Sequence, residues 1–216
     1  MDFLLKGSGV VSCEFKKGDY IIRQGEEIQY LYYLVTGTCY RTTYTEKGDE
    51  IIYGIKKSNN SFQSLIGVML LYSNGISKNN FIAKNNCSGY KIPKETFLRY
   101  VQDKPDILNQ LLYMVMKEYE ELIDSFQARQ EGKVPNYLCE QLLKNAQDKQ
   151  GKLLVNKDYS SYSKISRFLG VHKVTVAKII KALKDDGIID KEKDGIVIID
   201  KKRLKSYAKG EKTLDY

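Results

Sequence analysis

Between residues 13 and 57, apolar and polar positions alternate in short runs: Tyr20-Ile21-Ile22, Leu31-Tyr32-Tyr33-Leu34-Val35, Cys39-Tyr40-Arg41-Thr42-Thr43-Tyr44 and Ile51-Ile52-Tyr53-Gly54-Ile55. Turn residues separate them, at Lys17-Gly18-Asp19, Gly25-Glu26-Glu27, Thr36-Gly37 and Glu46-Lys47-Gly48-Asp49. Runs rich in β-branched and aromatic residues with Gly at the bends predict a roll or barrel rather than a βαβ domain. Residues 58–80, with Asn59-Asn60 and Asn79-Asn80 at their ends, predict a short helix inside a loop. Strands are expected near 81–83 and 89–92, where the domain closes.

At Pro105 the period changes. Leu108, Leu112, Val115, Tyr119, Leu122 and Phe126 follow one another at steps of four, three, four, three and four, the a and d positions of a heptad seam. Pro105 suits a first helical turn, and the Gly/Pro break at 132–135 ends the run at Gln130. Ile107, Leu111, Met114 and Ile123 form a second apolar stripe. One stripe for the roll and one for a second copy predict a homodimer; the alternative is a helix packed on its own domain only.

A further helix is expected over 134–148 and a strand over 152–155. Between Ser161 and Gly170 lies a short helix with Ile165, Phe168 and Leu169 on its core side. A tight turn at Gly170-Val171 leads to a second helix, in which Val176, Ile179, Ile180 and Leu183 form one buried face. Behind this helix-turn-helix, Gly187-Ile188-Ile189, a polar turn at 191–195 and Ile196-Val197-Ile198-Ile199 predict a hairpin wing. The fold class is therefore α+β, with a β-roll over 1–103, a dimerisation helix over 104–131 and a winged helix-turn-helix over 134–216.

Charge sharpens the function of the last part. The chain carries +8, and residues 151–216 hold 16 Lys and Arg against 9 Asp and Glu, leaving 19 against 18 elsewhere. Concentrated positive charge is what a module that neutralises phosphates needs, although a solvated lysine-rich tail has the same count. With 176, 179, 180 and 183 inward, Lys173, Val174, Ala177, Lys178 and Lys181 face outward. Lysines there reach guanine O6/N7 or phosphates, and His172 and Thr175 sit at the helix start, where free N–H groups meet the backbone. An outward Val174 has no packing role, but it can meet a thymine methyl group.

Phe15-x-x-Gly18-Asp19, Gly25-Glu26, the 31–37 run and the Gly48 turn resemble the cyclic-nucleotide-binding-type roll of the cyclic-AMP-receptor and fumarate/nitrate-regulator (CRP/FNR) family. The stretch from Ile165 to Lys178 resembles that family's DNA-reading motif, and Gly170-Val171-His172-Lys173-Val174-Thr175-Val176 is most similar to the regulators of reductive dehalogenation, which sense chlorinated phenols. The resemblance spans residues 12–205 and implies a transcription regulator that binds an inverted repeat of double-stranded DNA as a homodimer under the control of a small effector. It also allows RNA polymerase as a partner.

Departures narrow the effector. Cyclic-AMP-binding members place a Gly-Glu pair on the ribose and an Arg-Ser or Arg-Ala pair on the phosphate. Residues 62–78 offer Gln63, Ser64 and Ser77 and no arginine or acidic residue, and Leu122 and Ile123 stand where such members place hydroxyls. Cyclic AMP is not expected to bind, for want of a phosphate cation and a ribose acceptor. The cysteines, Cys13, Cys39, Cys87 and Cys139, form no cluster, and the single histidine, His172, lies in the DNA-reading segment, so neither an iron–sulfur centre nor haem is expected, and no other metal or cofactor. An uncharacterised, partly apolar effector is expected against Tyr40, Tyr44, Tyr53, Gln63, Ser64, Tyr113 and Tyr119, although ordinary packing also explains these tyrosines. In the family's base-reading set an acidic residue stands at Val174 and arginines are common at Lys173 and Lys178, so an A/T-rich site is expected.

An enzyme would need a nucleophile–base pair, a metal cluster or a Gly-rich phosphate loop; the sequence offers no G-x-G-x-x-G, no G-K-[ST] and no second histidine. An effector-insensitive architectural DNA-binding protein is the other alternative, which the roll argues against. No apolar run approaches the ~20 residues of a membrane span, and the start Met1-Asp2-Phe3-Leu4-Leu5-Lys6-Gly7 is too short and polar for a signal peptide, so a cytoplasmic location is expected.

Overall fold

The computed structural model describes residues 7–216 apart from 47, 49 and 60. The turn expected at 46–49, the 59–60 pair and the first six residues therefore lie partly or wholly outside the described residues. Two compact units result, Met1–Glu120 and Glu121–Tyr216.

In the first unit, strands β1 (Val11–Phe15), β2 (Tyr20–Ile22), β3 (Tyr30–Thr36), β4 (Thr38–Tyr44), β5 (Glu50–Lys57), β6 (Leu65–Ile66), β7 (Asn80–Ala83) and β8 (Cys87–Pro93) form two antiparallel sheets. Their orders are β1-β8-β3-β6 and β2-β7-β4-β5. The continuous apolar run in β3 follows from burial on both faces. Leu34 joins Ile22, Cys39, Ile66 and Phe81 between the sheets, while Leu31 and Tyr33 pack with Ile92 and the helices. A turn of 3-10 helix at Phe62–Ser64 and a short helix α1 (Val68–Leu71) occupy the loop where a short helix was expected. Helix α2 (Lys94–Val101) follows β8 directly and buries Phe97 and Val101 one turn apart. The sequence reading closed the domain at residue 92 and missed it, because only two of its eight positions carry the periodic signal.

Helix α3 runs Pro105–Gln130, as expected. Leu111 and Met114 are buried in the roll's core. Of the expected seam, Leu112, Tyr119, Leu122 and Phe126 are exposed, whereas Leu108 and Val115 are partly buried against that same core. Four of the six seam positions thus face outward, and the other two sit at the margin of the roll-facing stripe. The outward stripe is Leu112, Met116, Tyr119, Leu122 and Phe126.

The second unit packs α4 (Val134–Lys144), α5 (Tyr162–Leu169), α6 (Lys173–Asp185) and α7 (Lys201–Ala208) with a four-stranded sheet. Its strands are β9 (Ala146–Lys149), β10 (Lys152–Val155), β11 (Ile189–Glu192) and β12 (Gly195–Ile198), in the order β11-β12-β10-β9. The helix expected over 134–148 stops at Lys144. Gln147, Asp148 and Lys149 are exposed and offer no apolar face to hold a helix, while β9 gains a backbone ladder with β10, Ala146 opposite Val155. The hairpin β11–β12 is the expected wing, although Ile199 lies beyond it and is exposed. Helix α7 was not anticipated in its lysine-rich sequence. Asp200 caps it by accepting from the Arg203 N–H at 2.9 Å, and Leu204 and Tyr207 are buried in the core.

Gly89 of β8 lies opposite Leu34 of β3 in the sheet. A Cβ built there would lie 2.0 Å from the Tyr33 carbonyl oxygen. Gly89→Ala must push the two central strands apart, so we expect a loss of ~1–3 kcal/mol or more in urea denaturation, the usual cost of overpacking; an unchanged midpoint would show that the sheets yield there freely.

Candidate nucleic-acid interface and effector cavity

Helix α5 begins at Ser161, whose Oγ accepts from the Lys164 N–H at 3.2 Å, and ends at Gly170 in the left-handed region, φ 62°. The Val171 N–H returns to the Ser166 carbonyl, and Ser166 Oγ donates to the Val171 carbonyl at 2.7 Å. These bonds fix the turn from which α6 departs. Val176, Ile179, Ile180 and Leu183 are fully buried in the second unit's core, as expected. That phase leaves His172, Lys173, Lys178 and Lys181 exposed and Val174 66% exposed, while Thr175 is half-buried. His172 is the N-cap residue but its side chain makes no capping bond, so the first N–H groups of α6 are left for an outside acceptor.

The lysines of this unit differ in their surroundings. Around the wing, Lys152 pairs with Glu192 and Lys184 with Asp190, each at 2.8 Å, and Lys191 lies over the Tyr162 ring at 4.1 Å. The bond from Lys184 holds the Asp190 carboxyl below its ordinary range, and the same bond raises Lys184. Among the described residues, no ion pair is recorded for Lys173, Lys178 or Lys181. Exposed lysines of this kind attract solvent anions, which a polyanion can displace.

Arg129, near the end of α3, donates through Nη1 both to Ser125 Oγ at 2.7 Å and to the Leu169 carbonyl at 3.2 Å. It therefore anchors the end of α5, one residue before the turn, to the last turn of α3. Sequence reasoning missed this residue because the partner carbonyl lies 40 positions away.

The first unit contains a cavity of about 410 Å³ lined by residues from β4, β5, the 65–81 segment and α3. None of Tyr40, Tyr44, Tyr53, Gln63, Ser64, Tyr113 and Tyr119 lines it. Tyr44, Tyr53, Tyr113 and Tyr119 are exposed, and Ser64 is buried in the 57–64 turn, bonded to Asn59 and to the Lys57 carbonyl. The lining instead includes Arg41, Lys56 and Glu118. Register explains the first two: Cys39 pairs with Lys56, and Arg41 lies two residues on, hence diagonal on the same inward face. Glu118 follows Leu111 and Met114 at steps of three and four on the roll-facing stripe of α3.

Glu118 Oε2 accepts from Arg41 Nη1 at 3.0 Å, and its Oε1 pairs with Lys56 Nζ. The side chains of Arg41 and Lys56 are each 13% exposed and that of Glu118 22%. Arg41 Nε is buried and has no hydrogen-bond partner among the described residues, a costly state for a donor. Cyclic AMP was not expected because a phosphate cation was lacking; that ground is corrected. Lys78, within residues 62–78, lines the cavity, and Arg41 and Lys56 reach it from strands β4 and β5.

Elsewhere, Cys39 and Cys139 are buried thiols, pushed up to about 12 by desolvation, and therefore protonated at neutral pH. All four cysteines are free. Among the described residues, no group of three side chains is placed to hold a metal, and no helix is long and apolar enough to cross a membrane.

Residues 12–104 match the cyclic nucleotide-binding domain family, and residues 134–207 match the Crp-like helix-turn-helix domain. The chain is 25% identical over 183 residues to the cAMP-activated global transcriptional regulator CRP of Salmonella typhimurium, covering 82% of this chain and 84% of that one. In fold it is similar to the c-di-GMP responsive global regulator CLP of Xanthomonas campestris, with a TM-score of 0.72 at 16% identity over 91% of this chain and 95% of that one. It is also similar in fold to OCPA-complexed CprK, with a TM-score of 0.70 at 20% identity over 94% of this chain and 90% of that one. A cyclic nucleotide-binding domain followed by a helix-turn-helix defines a class of DNA-binding transcription regulators. The chain belongs to the CRP/FNR family of that class.

Replacing Arg129 by Ala removes two charge-assisted bonds and leaves the Leu169 carbonyl without this donor. We expect ~1–3 kcal/mol lower stability by chemical denaturation, accompanied by weaker DNA binding in an anisotropy titration.

Proposed function

We propose that this chain is a homodimeric, sequence-specific DNA-binding regulator whose affinity for DNA is set by a small effector in the cavity of the first unit. The observation that carries the DNA-reading part is the outer face of α6, where Lys173, Lys178 and Lys181 have no ion pair among the described residues and Val174 is 66% exposed, whereas Lys152 and Lys184 beside the wing are each paired with a carboxylate. The exposed stripe Leu112, Met116, Tyr119, Leu122 and Phe126 supports a self-partner along α3, since an apolar helix face of that length is costly in water. Against cyclic AMP stands the state of Glu118, the one carboxylate among the described lining residues, which two cations already hold and which is therefore not free for ribose hydroxyls.

Two recognition helices related by a two-fold enter successive major grooves, so the site is an inverted repeat with half-site centres ~34 Å apart. Val174 offers a methyl contact and no acceptor, which favours A/T-rich half-sites of the TTAAT/ATTAA kind. His172 and Thr175 position the backbone at the helix start.

Selection from random duplexes tests this. We expect wild type to enrich A·T at the Val174 position and Val174→Glu to move that one position toward G·C by ~1–3 kcal/mol. Lys181→Ala is expected to weaken all sequences alike and reduce the salt slope by ~1. A wild-type preference for G·C there, or a motif unmoved by Val174→Glu, removes Val174 from the base-reading set. For the dimer, Leu112→Glu places an unpaired charge in the apolar stripe and is expected to elute as a monomer that binds DNA weakly; a dimer with normal binding excludes the stripe as the interface.

A further inference from the structure

We propose that the cavity of the first unit takes a small acid, one anionic head on an apolar body, and that Glu118 is an internal anion which this acid displaces from Arg41 and Lys56. This rests on the assignment of that cavity to the effector and names the effector's chemical class and the residue that competes with it.

The charge balance is the starting point. Two cations largely withdrawn from water face a single carboxylate, while Lys78, also in the lining, is exposed and stays hydrated. One carboxylate leaves this set net positive, a state that burial penalises and an additional or stronger anion relieves. The guanidinium points the same way. Its planar fork can hold a carboxylate or phosphate through two parallel bonds, yet here one nitrogen, Nη1, serves Glu118, with Met69 Sδ also at 3.5 Å, and the buried Nε serves no acceptor. An anion presenting two oxygens to Nε and one terminal nitrogen satisfies what Glu118 leaves open.

The rest of the lining sets the body of the ligand. Leu65, Val68, Leu70, Phe81 and Met114 give apolar walls, and the cavity of about 410 Å³ suits a small molecule. Glu118 also decides what displacement does. It is the group on α3 that holds both strand cations, and its neighbour Tyr119 belongs to the outward stripe. Releasing Glu118 therefore removes the charged tie between β4, β5 and the middle of that helix, so ligand and helix position are coupled through one side chain.

The test uses the full chain without DNA at constant ionic strength. Benzoate, phenylacetate, phenyl phosphate and cyclic AMP are titrated by calorimetry and thermal melting, with benzamide and phenylacetamide as neutral matches; the carboxylate and phosphate arms separate the two head chemistries. At least one aryl acid is expected to bind and raise the melting temperature while its amide does not. Glu118→Gln is expected to bind that acid at least ten-fold tighter, Arg41→Gln at least ten-fold weaker, and Lys56→Arg, which keeps the charge, within three-fold of wild type. Circular dichroism checks each variant; if Arg41→Gln does not fold, Lys56→Gln replaces it with the same expected loss. The proposal is overturned if no acid binds more tightly than its amide, if Glu118→Gln leaves affinity unchanged or lowers it, or if cyclic AMP binds wild type more tightly than every aryl acid. Because binding is read without DNA, a failed duplex selection with intact acid binding counts against the DNA assignment alone, and the reverse outcome counts against this proposal alone.

Discussion

Helix α3 has to meet two demands with a single periodicity. One stripe, Leu111, Met114 and then Glu118, enters the roll, and another, Leu112, Met116, Tyr119, Leu122 and Phe126, points away from it. At 3.6 residues per turn the two stripes lie side by side on a helix of 26 residues, and neither can shift without displacing the other. The roll's second core cluster needs Leu111 and Met114, because Leu31, Tyr33 and Ile92 on the outer face of the β3–β8 pair, with Phe97 of α2, would otherwise meet water. Once that packing is set, Glu118 falls one turn further into the roll. A carboxylate there is tolerable only because β4 and β5 bring Arg41 and Lys56 to it. The cavity, its charge and the outward stripe all descend from the phase of this helix.

In the second unit the comparable constraint is the burial of α6. Val176, Ile179, Ile180 and Leu183 anchor it in a core shared with α4, the wing and α7, and that leaves no freedom in which residues face outward. Asn136 Nδ2 donates to the Tyr207 carbonyl at 2.7 Å and the Tyr207 hydroxyl bonds Asp186 at 3.1 Å, so α7 supports both α4 and the end of α6. The charge of the unit is sorted by the same packing. Acidic residues on the wing and at the end of α6 pair with Lys152, Lys184 and Arg203, and among the described residues none pairs with the lysines of the outer face. An even spread of the 16 cations and 9 anions of residues 151–216 would have produced the same net charge without a polyanion-binding face.

Much of this was legible locally. The limits of α3, the turn at Gly170, the buried positions of α6 and the wing hairpin each depend on residues within a few positions of one another, and periodicity or turn chemistry reports such arrangements directly. The misses have a different origin. The strand β9 draws its stability from a ladder with β10, which a sequence of Gln, Asp and Lys does not announce. Helix α7 carries only two buried side chains and reads as a solvated lysine run. The seam residues Leu108 and Val115 fit a heptad as well as a single-domain packing stripe, and their partial burial against the roll is invisible to periodicity.

The chain's own order of apolar and polar residues thus determined a β-roll, a long two-striped helix and a basic helix-turn-helix with a wing, because each is specified by short-range period. The composition of the cavity was decided by tertiary structure. Arg41, Lys56 and Glu118 lie on three elements separated by 15 and 62 positions, and they meet through strand register and helix phase. The tyrosines expected there have the right chemistry but the wrong positions: the same register and phase that turn the two cations and the carboxylate inward leave Tyr44, Tyr53, Tyr113 and Tyr119 exposed.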